Sequence, residues 1–265
     1  MKHYQYVIVG GGMTADAAVR GIRERDNSGT IAVLCGEKYP PYDRPPLSKK
    51  LWTGKPLDAI WRKTVQAKAD LFLDTRAVNG DVTMKTITDN HGEVYRYEKL
   101  LLATGGAPRR LPFTADGVIY FRTLEDYQRL RALADGKSGF IVIGGGFIGS
   151  EIAAALAVND CKVTMVFPES GIGARIYPPK LSGFLNDYFR DKGVTMLAGE
   201  TIRTVKKNGA RFAVETGSGK TLSADAVVAG IGIEPEVGLA KALGLKVDNG
   251  IVVDENLRAD RKSVV

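Results

Sequence analysis

A hydrophobic strand running straight into three glycines occurs twice in this chain. The first copy is Tyr6-Val7-Ile8-Val9-Gly10-Gly11-Gly12 and the second is Phe140-Ile141-Val142-Ile143-Gly144-Gly145-Gly146. Each phrase predicts a buried β-strand, a tight turn and the N-terminus of a helix, where free N–H groups and the helix dipole suit the pyrophosphate of a dinucleotide. One copy would be a weak motif; two copies about a domain apart predict two dinucleotide sites and an internal duplication. A chain of 265 residues has room for two domains of ordinary size.

Around each phrase the sequence repeats one plan. In the first half, residues 15–25 read as a helix with small residues toward the sheet, and 30–35 as a second strand ending at Gly36-Glu37. A stiff proline loop follows, Tyr39-Pro40-Pro41-Tyr42-Asp43-Arg44-Pro45-Pro46, then a short helix over 47–52. Residues 71–97 predict a β-meander turning at Asn90-His91-Gly92, and 99–103 a buried strand closing on Thr104-Gly105-Gly106. In the second half, 123–134 is helical, opened by a capping-box pair of Thr123 and Asp126. Strand 140–143, helix 147–158, strand 162–167, helix 179–192 and short strands over 194–222 come next, before Val227-Val228-Ala229-Gly230. The fold class is therefore α/β, with two Rossmann-like three-layer nucleotide-binding domains carrying inserted β-meanders. Expected boundaries are 1–112, 113–238 after the linker Ala107-Pro108-Arg109-Arg110-Leu111-Pro112, and a return segment over 239–265.

Composition narrows the function. The chain is 44% hydrophobic and 25% charged, as in a soluble globular protein, with 31 glycines at turns and strand ends. The formal net charge of +7 is dispersed in pairs such as Lys49-Lys50, Arg109-Arg110 and Lys206-Lys207, which argues against nucleic acid as the main ligand. Cys35 and Cys161 form no Cys-x-x-Cys, so neither a disulfide framework nor a local redox dithiol is expected. No metal site is expected. The first strand starts too early for a signal peptide, and the most apolar stretch is broken by glycines and Glu151, so no membrane span is predicted. Cytoplasmic location in a prokaryotic cell is the expectation.

In the first turn Gly10 permits the bend, Gly12 lets backbone approach phosphate, and Ala15 takes the third small position, with Met13 and Thr14 between them. Glu37, at the end of the second strand, is placed to accept hydrogen bonds from adenosine ribose hydroxyls. In the second turn Gly144, Gly146, Phe147, Ile148 and Gly149 take the corresponding places.

Arg44-Pro45-Pro46-Leu47-Ser48-Lys49, with the glycine turn, Glu37 and Ala103-Thr104-Gly105-Gly106, resembles the FAD-dependent pyridine-nucleotide oxidoreductases. Within these it is similar to the ferredoxin and rubredoxin reductase branch and to apoptosis-inducing-factor-like flavoproteins, over about residues 4–258. The resemblance implies FAD in the first domain, with Arg44 and Lys49 on the flavin nucleotide and Lys49 near the reactive edge of the ring. There a fixed positive charge would stabilise the anion left by hydride transfer. It implies a flavin contact for Arg122, an adenine contact for Ala77, and contacts through Ala103, Thr104 and Gly105. It also pairs Glu151 with the lysine and sets Gly232 against the nicotinamide half of NADH. Phe167 replaces the usual strand-end acid, and Phe167-Pro168-Glu169 brings a carboxylate two residues later, followed by Arg175, as in apoptosis-inducing-factor-like proteins. Glu169 favours NADH; Arg175 leaves NADPH open.

The implied activity is hydride transfer from NAD(P)H to FAD, then electron transfer to an acceptor such as a ferredoxin- or rubredoxin-like protein, a quinone or oxygen. The alternative is a redox-sensing flavoprotein that forms a stable complex with NADH; a homodimer is compatible with either. The family pattern runs on past Arg258, so a discontinuous, truncated FAD domain is expected. Residues 260–265 match one reading frame of a common short-read sequencing adapter and are expected to be artefactual.

Overall fold

The first apolar run forms Lys2–Val9 (β1), whose last three residues are buried; we describe it in a computed structural model covering residues 1–113 and 115–259. The terminal residues 260–265, and the expectation attached to them, lie outside the described residues. From the glycines the chain enters Met13–Arg23 (α1) and returns as Ile31–Leu34 (β2), buried throughout. Strands apolar on both faces belong in covered parallel sheets. Accordingly β1 pairs parallel with β2, and β2 with Asp70–Phe72 (β3).

On its other side β1 pairs with Val94–Leu102, which also ends an antiparallel meander of Ala77–Asp81 (β4) and Thr86–Asp89 (β5). The last meander strand and the strand closing on Gly105 are thus one nine-residue strand, β6. Side chains alternate as a strand requires. Val7 and Val9 face one cluster with Leu34, Tyr95 and Tyr97, while Ile8 faces another with Ala15, Val19 and Val33. The first cluster is completed by Leu239, Ala240, Leu243 and Leu245, on and after a short helix, Gly238–Ala242. Sequence periodicity misses that helix because five residues are too few to show a period.

The second glycine phrase repeats the pattern. Gly139–Ile143 leads into the helix Phe147–Val158 and back to Lys162–Phe167. A five-stranded sheet, wholly parallel, runs Thr195–Ala198, Lys162–Phe167, Gly139–Ile143, Ala226–Ala229, Ile119–Tyr120. The helices Leu124–Asp135 (α2), Phe147–Val158 (α3) and Pro179–Asp191 (α4) belong to this unit. Ile202–Asn208, Arg211–Thr216 and Thr221–Ala224 form its antiparallel meander. The predicted capping box opens α2: Thr123 N–H donates to Asp126 Oδ2 at 2.8 Å and Asp126 N–H to Thr123 Oγ1 at 3.2 Å.

The chain divides into two compact units, one of Met1–Asp43, Leu57–Ala107 and the chain from Glu234, the other of Arg44–Pro56 and Pro108–Ile233. The sequence alone keeps Arg44–Pro56 in the first unit; the structure packs it with the second. The short helix expected over 47–52 is two 3₁₀ turns, Pro45–Ser48 and Lys50–Thr53. Trp52 anchors them. Its indole N–H donates to Leu47 O at 2.7 Å, its ring meets Tyr127 of α2 edge-on at 5.6 Å, and Asn159 donates to its carbonyl at 3.2 Å.

In the first unit a fully buried carboxylate ties α1 to a distant loop. Asp16 accepts from Arg20 Nε at 2.9 Å, Arg62 Nε at 2.8 Å and Thr64 Oγ1 at 2.7 Å, and Arg62 also reaches Asp43. Burial alone would raise the Asp16 carboxyl, but the bonds from Arg20, Arg62 and Thr64 outweigh it and hold it below the ordinary range. Asp89 behaves alike: burial is overcome by the Glu93 and His91 amides and the Tyr95 hydroxyl. Both groups titrate lower in the folded chain, so their contribution is complete above the unfolded carboxylate value of about 4 and is lost as pH falls through their folded values. Asp16→Asn is expected to lower stability by about 2 kcal/mol at pH 7, with the deficit shrinking below about pH 4. Urea unfolding of both proteins across pH measures this; an equal deficit at every pH would contradict it.

Candidate functional site

The three glycines of each turn have three different surroundings. Gly10 and Gly144 lie at φ +125° and +115°, and a Cβ on either would strike the carbonyl ending the neighbouring strand, Ala103 O or Gly230 O. The backbone ladder continues there: Ala103 N–H donates to Val9 O and Gly230 N–H to Ile143 O, both at 2.8 Å. The middle glycines are packing positions. A Cβ on Gly11 would come within 2.7 Å of Cys35 Cβ, and one on Gly145 within 2.8 Å of the Phe167 ring. Gly12 and Gly146 differ again, since a Cβ on either meets nothing within 4 Å. Both are N-cap residues with extended backbone, and no side chain caps α1 or α3. Each turn therefore leaves a helix N-terminus without a side-chain cap, at a glycine with open space where a Cβ would stand. Ala15 is buried under the first turn and Gly149 sits against Gly144 in the second, while Met13 and Ile148 are half-buried and Thr14 and Phe147 exposed.

An acid stands beyond each second strand. Glu37 follows β2 and accepts from Tyr42 Oη at 2.6 Å. The chain at Asp74 and Thr75 runs beside it, with Asp74 N–H bonding Glu37 O and Thr75 N–H bonding Cys35 O, while Ala77 pairs with Asp89 in the meander. Thr104 and Gly105 follow β6 and hold the returning chain: Thr104 Oγ1 donates to Glu236 O at 2.6 Å, and Glu236 N–H to Gly105 O at 3.0 Å. In the second unit Glu169 pairs with Arg175 at 2.5 Å. The loop carrying Arg175 is tied to the glycine turn by Gly173 N–H on Gly145 O, and its Tyr177 meets Phe147 edge-on at 6.3 Å. Sequence reasoning misses Tyr177, which no motif marks. Gly232, at φ +110°, accepts from Arg109 N–H.

Arg44 of the proline loop, and Ser48 and Lys49 just after it, lie in the second unit. Arg44 Nη1 donates to Arg122 O at 3.2 Å. Lys49 Nζ pairs with Glu151 Oε2 at 2.7 Å, and Ser48 Oγ donates to the same oxygen at 2.6 Å. Cys35 is fully buried, and burial followed by the Glu37 charge pushes its thiol up to about 12, so it serves as a small apolar residue. Both cysteines are free. Among the described residues no His, Cys, Asp and Glu cluster could hold a metal ion, and no helix is long and apolar enough to cross a membrane.

A family model described as pyridine nucleotide-disulphide oxidoreductase matches residues 4–264. The chain belongs to that family. Among its relatives, apoptosis-inducing factor 1 of Dictyostelium discoideum is 33% identical over 98% of this chain and 55% of its own length. Rubredoxin-NAD(+) reductase of Pseudomonas putida is 33% identical over 97% of this chain and 69% of its own. The putidaredoxin reductase of a solved covalent complex with putidaredoxin superposes with a TM-score of 0.92 at 30% identity, over all of this chain and 67% of that one. The first curated relatives are matched over only 55 to 64% of their length. Several carry mitochondrial or peroxisomal names, so kinship does not fix the compartment.

The glycine environments separate stability from any ligand role. Gly145→Ala, driven into the Phe167 ring, is expected to cost about 1–3 kcal/mol. Gly146→Ala, with open space around it, should stay within about 0.5 kcal/mol of wild type. Thermal unfolding of the ligand-free proteins checks this, and a destabilised Gly146→Ala would refute the assignment.

Proposed function

We propose that the protein is an FAD-dependent NAD(P)H oxidoreductase, with FAD held by the first glycine turn and NAD(P)H by the second. The observation that carries this reading is the uncapped helix N-terminus at Gly12 and again at Gly146, each glycine with open space at its Cβ position and an acid beyond the next strand. In the first unit Gly10, Gly12, Met13, Thr14 and Ala15 would present the α1 amides to a pyrophosphate, and Glu37, steadied by Tyr42, would take ribose hydroxyls. Ala103, Thr104 and Gly105, at the strand end beside that turn, would add contacts, and Ala77 would meet the adenine. In the second unit Gly144, Gly146, Phe147, Ile148 and Gly149 would do the same through α3, with Glu169 on the ribose and Gly232 toward the nicotinamide.

When bound, FAD supplies two-electron uptake from NAD(P)H and one-electron release to an acceptor. Lys49 supplies a cation held in place by Glu151, suited to a site where negative charge develops. Arg44 and Arg122, joined by a bond from the Arg44 guanidinium to the Arg122 carbonyl, would add contacts to the flavin nucleotide. NADH is the preferred donor because the Glu169 carboxylate opposes a 2′-phosphate, while the paired Arg175 softens that opposition. A ferredoxin- or rubredoxin-type acceptor is supported by the similarity to a rubredoxin reductase and to a reductase solved with putidaredoxin. A redox-sensing role is the second reading, supported by the likeness to an apoptosis-inducing factor and by Phe167-Pro168-Glu169.

Reconstitution with FAD, followed by anaerobic titration with NADH and NADPH, tests the reading. The protein should take up flavin and bleach with NADH at lower concentration than with NADPH. Gly12→Ala should weaken flavin uptake roughly tenfold or more, and Gly146→Ala should spare it while weakening the NADH response similarly, each equivalent to about 1.4 kcal/mol. A colourless protein indifferent to reduced nicotinamide sinks the proposal. Rapid turnover with a reduced-protein acceptor favours the reductase; a long-lived NADH complex with altered oligomeric state favours the sensor.

A further inference from the structure

One oxygen of Glu151 receives two hydrogen bonds from successive residues, Ser48 Oγ at 2.6 Å and Lys49 Nζ at 2.7 Å. A hydroxyl has a single proton to give. The other acceptor near Ser48, Pro45 O, lies at 3.5 Å, the far limit of a hydrogen bond, so the proton belongs to Glu151. The two donors differ in exposure. Ser48 is 5% exposed, whereas the Lys49 side chain is half in water and Glu151 a quarter. Solvent competes for the lysine and scarcely for the serine, and a solvated lysine–carboxylate pair alone is loosely held.

We propose that Ser48 is the positioning residue of this pair: its buried hydroxyl fixes the Glu151 carboxylate, and through that carboxylate the Lys49 ammonium. Its relevance to turnover rests on reading Lys49 as the cation of the reductase. Both ends of the serine–glutamate bond stand on rigid elements. Pro45 and Pro46 set the backbone of the first 3₁₀ turn, Lys49 N–H closes it on Pro46 O at 3.1 Å, and Trp52 bonds Leu47 O. Glu151 rises from α3 just beyond Gly149, which is packed against Gly144. The lysine is the one long flexible partner of the three, and it is the one whose charge must be held still.

Lys50, the next residue and equally an exposed lysine, supplies an internal reference. Trace acetylation of the 265-residue protein, read by fragment mass spectrometry as the Lys49-to-Lys50 ratio, measures how tightly Lys49 is held. Ser48→Ala should raise the ratio roughly threefold as the pair loosens. Glu151→Gln should raise it at least as far, and Ser48→Thr, which keeps a hydroxyl, should return it toward wild type. Because general unfolding would also free Lys49, the ratio is read at a temperature where the thermal unfolding curve shows each variant to be folded, and the Ser48→Thr variant separates loss of the hydroxyl from loss of the fold. A wild-type ratio in Ser48→Ala overturns the proposal. In the FAD-loaded protein Ser48→Ala should lower the limiting rate of reduction by NADH about tenfold with the NADH dissociation constant unchanged. Equal limiting rates sever Ser48 from turnover. A protein that takes up no flavin ends the oxidoreductase reading, and the labelling ratio still decides the role of Ser48.

Discussion

Everything in the two units is arranged around backbone meeting backbone at the ends of two parallel strands. Ala103 closes on Val9 in one unit and Gly230 on Ile143 in the other, and the glycine that follows each central strand is pressed onto that carbonyl. No side chain fits there. The contact forces the chain to bend at once into a helix, which leaves the first amides of that helix facing outward. The same restriction that makes the fold close would also shape the proposed anion-binding surface, so stability and ligand recognition would share an origin.

Charge is used differently in the two units. In the first, the buried Asp16 gathers Arg20, Arg62 and Thr64, and Arg62 passes the connection to Asp43, beside Tyr42 and its bond to Glu37. A helix end, a distant loop and the strand-end acid thereby form one polar chain. In the second, the Glu169–Arg175 pair is partly solvated and has a flexible partner, while Glu151 also accepts from the buried Ser48 hydroxyl.

Local signals in the sequence anticipated local structure well. The glycine phrases gave both turns, the residues 147–158 and 162–167 became a helix and a strand with those bounds, and Thr123 and Asp126 formed their reciprocal cap. What escaped notice depends on partners far apart in the chain. Asp16 is an ordinary helix-start acid until Arg62 and Thr64 arrive beside it, and Ser48 has no visible purpose without Glu151. The middle glycines look like spacers, although Cys35 and Phe167 dictate them. The placement of Arg44–Pro56 turned on Trp52 finding Tyr127 and Asn159, which no spacing announces.

The duplicated halves differ in one joint. In the first unit the meander and the parallel sheet share the unbroken strand β6; in the second, Asp225 interrupts the chain between Thr221–Ala224 and Ala226–Ala229, its carboxylate holding Gly139 N–H at 2.7 Å. An extra residue at 94–98 would invert Lys99–Leu102 and disturb the glycine turn pressed against Ala103. The later meander is clasped at its base instead, and length changes there stop at Asp225. The second insert can therefore change length at its base so long as Val205, Phe212 and Val214 still cover Ile141 and Val227, while any change in the first is passed straight to the glycine turn.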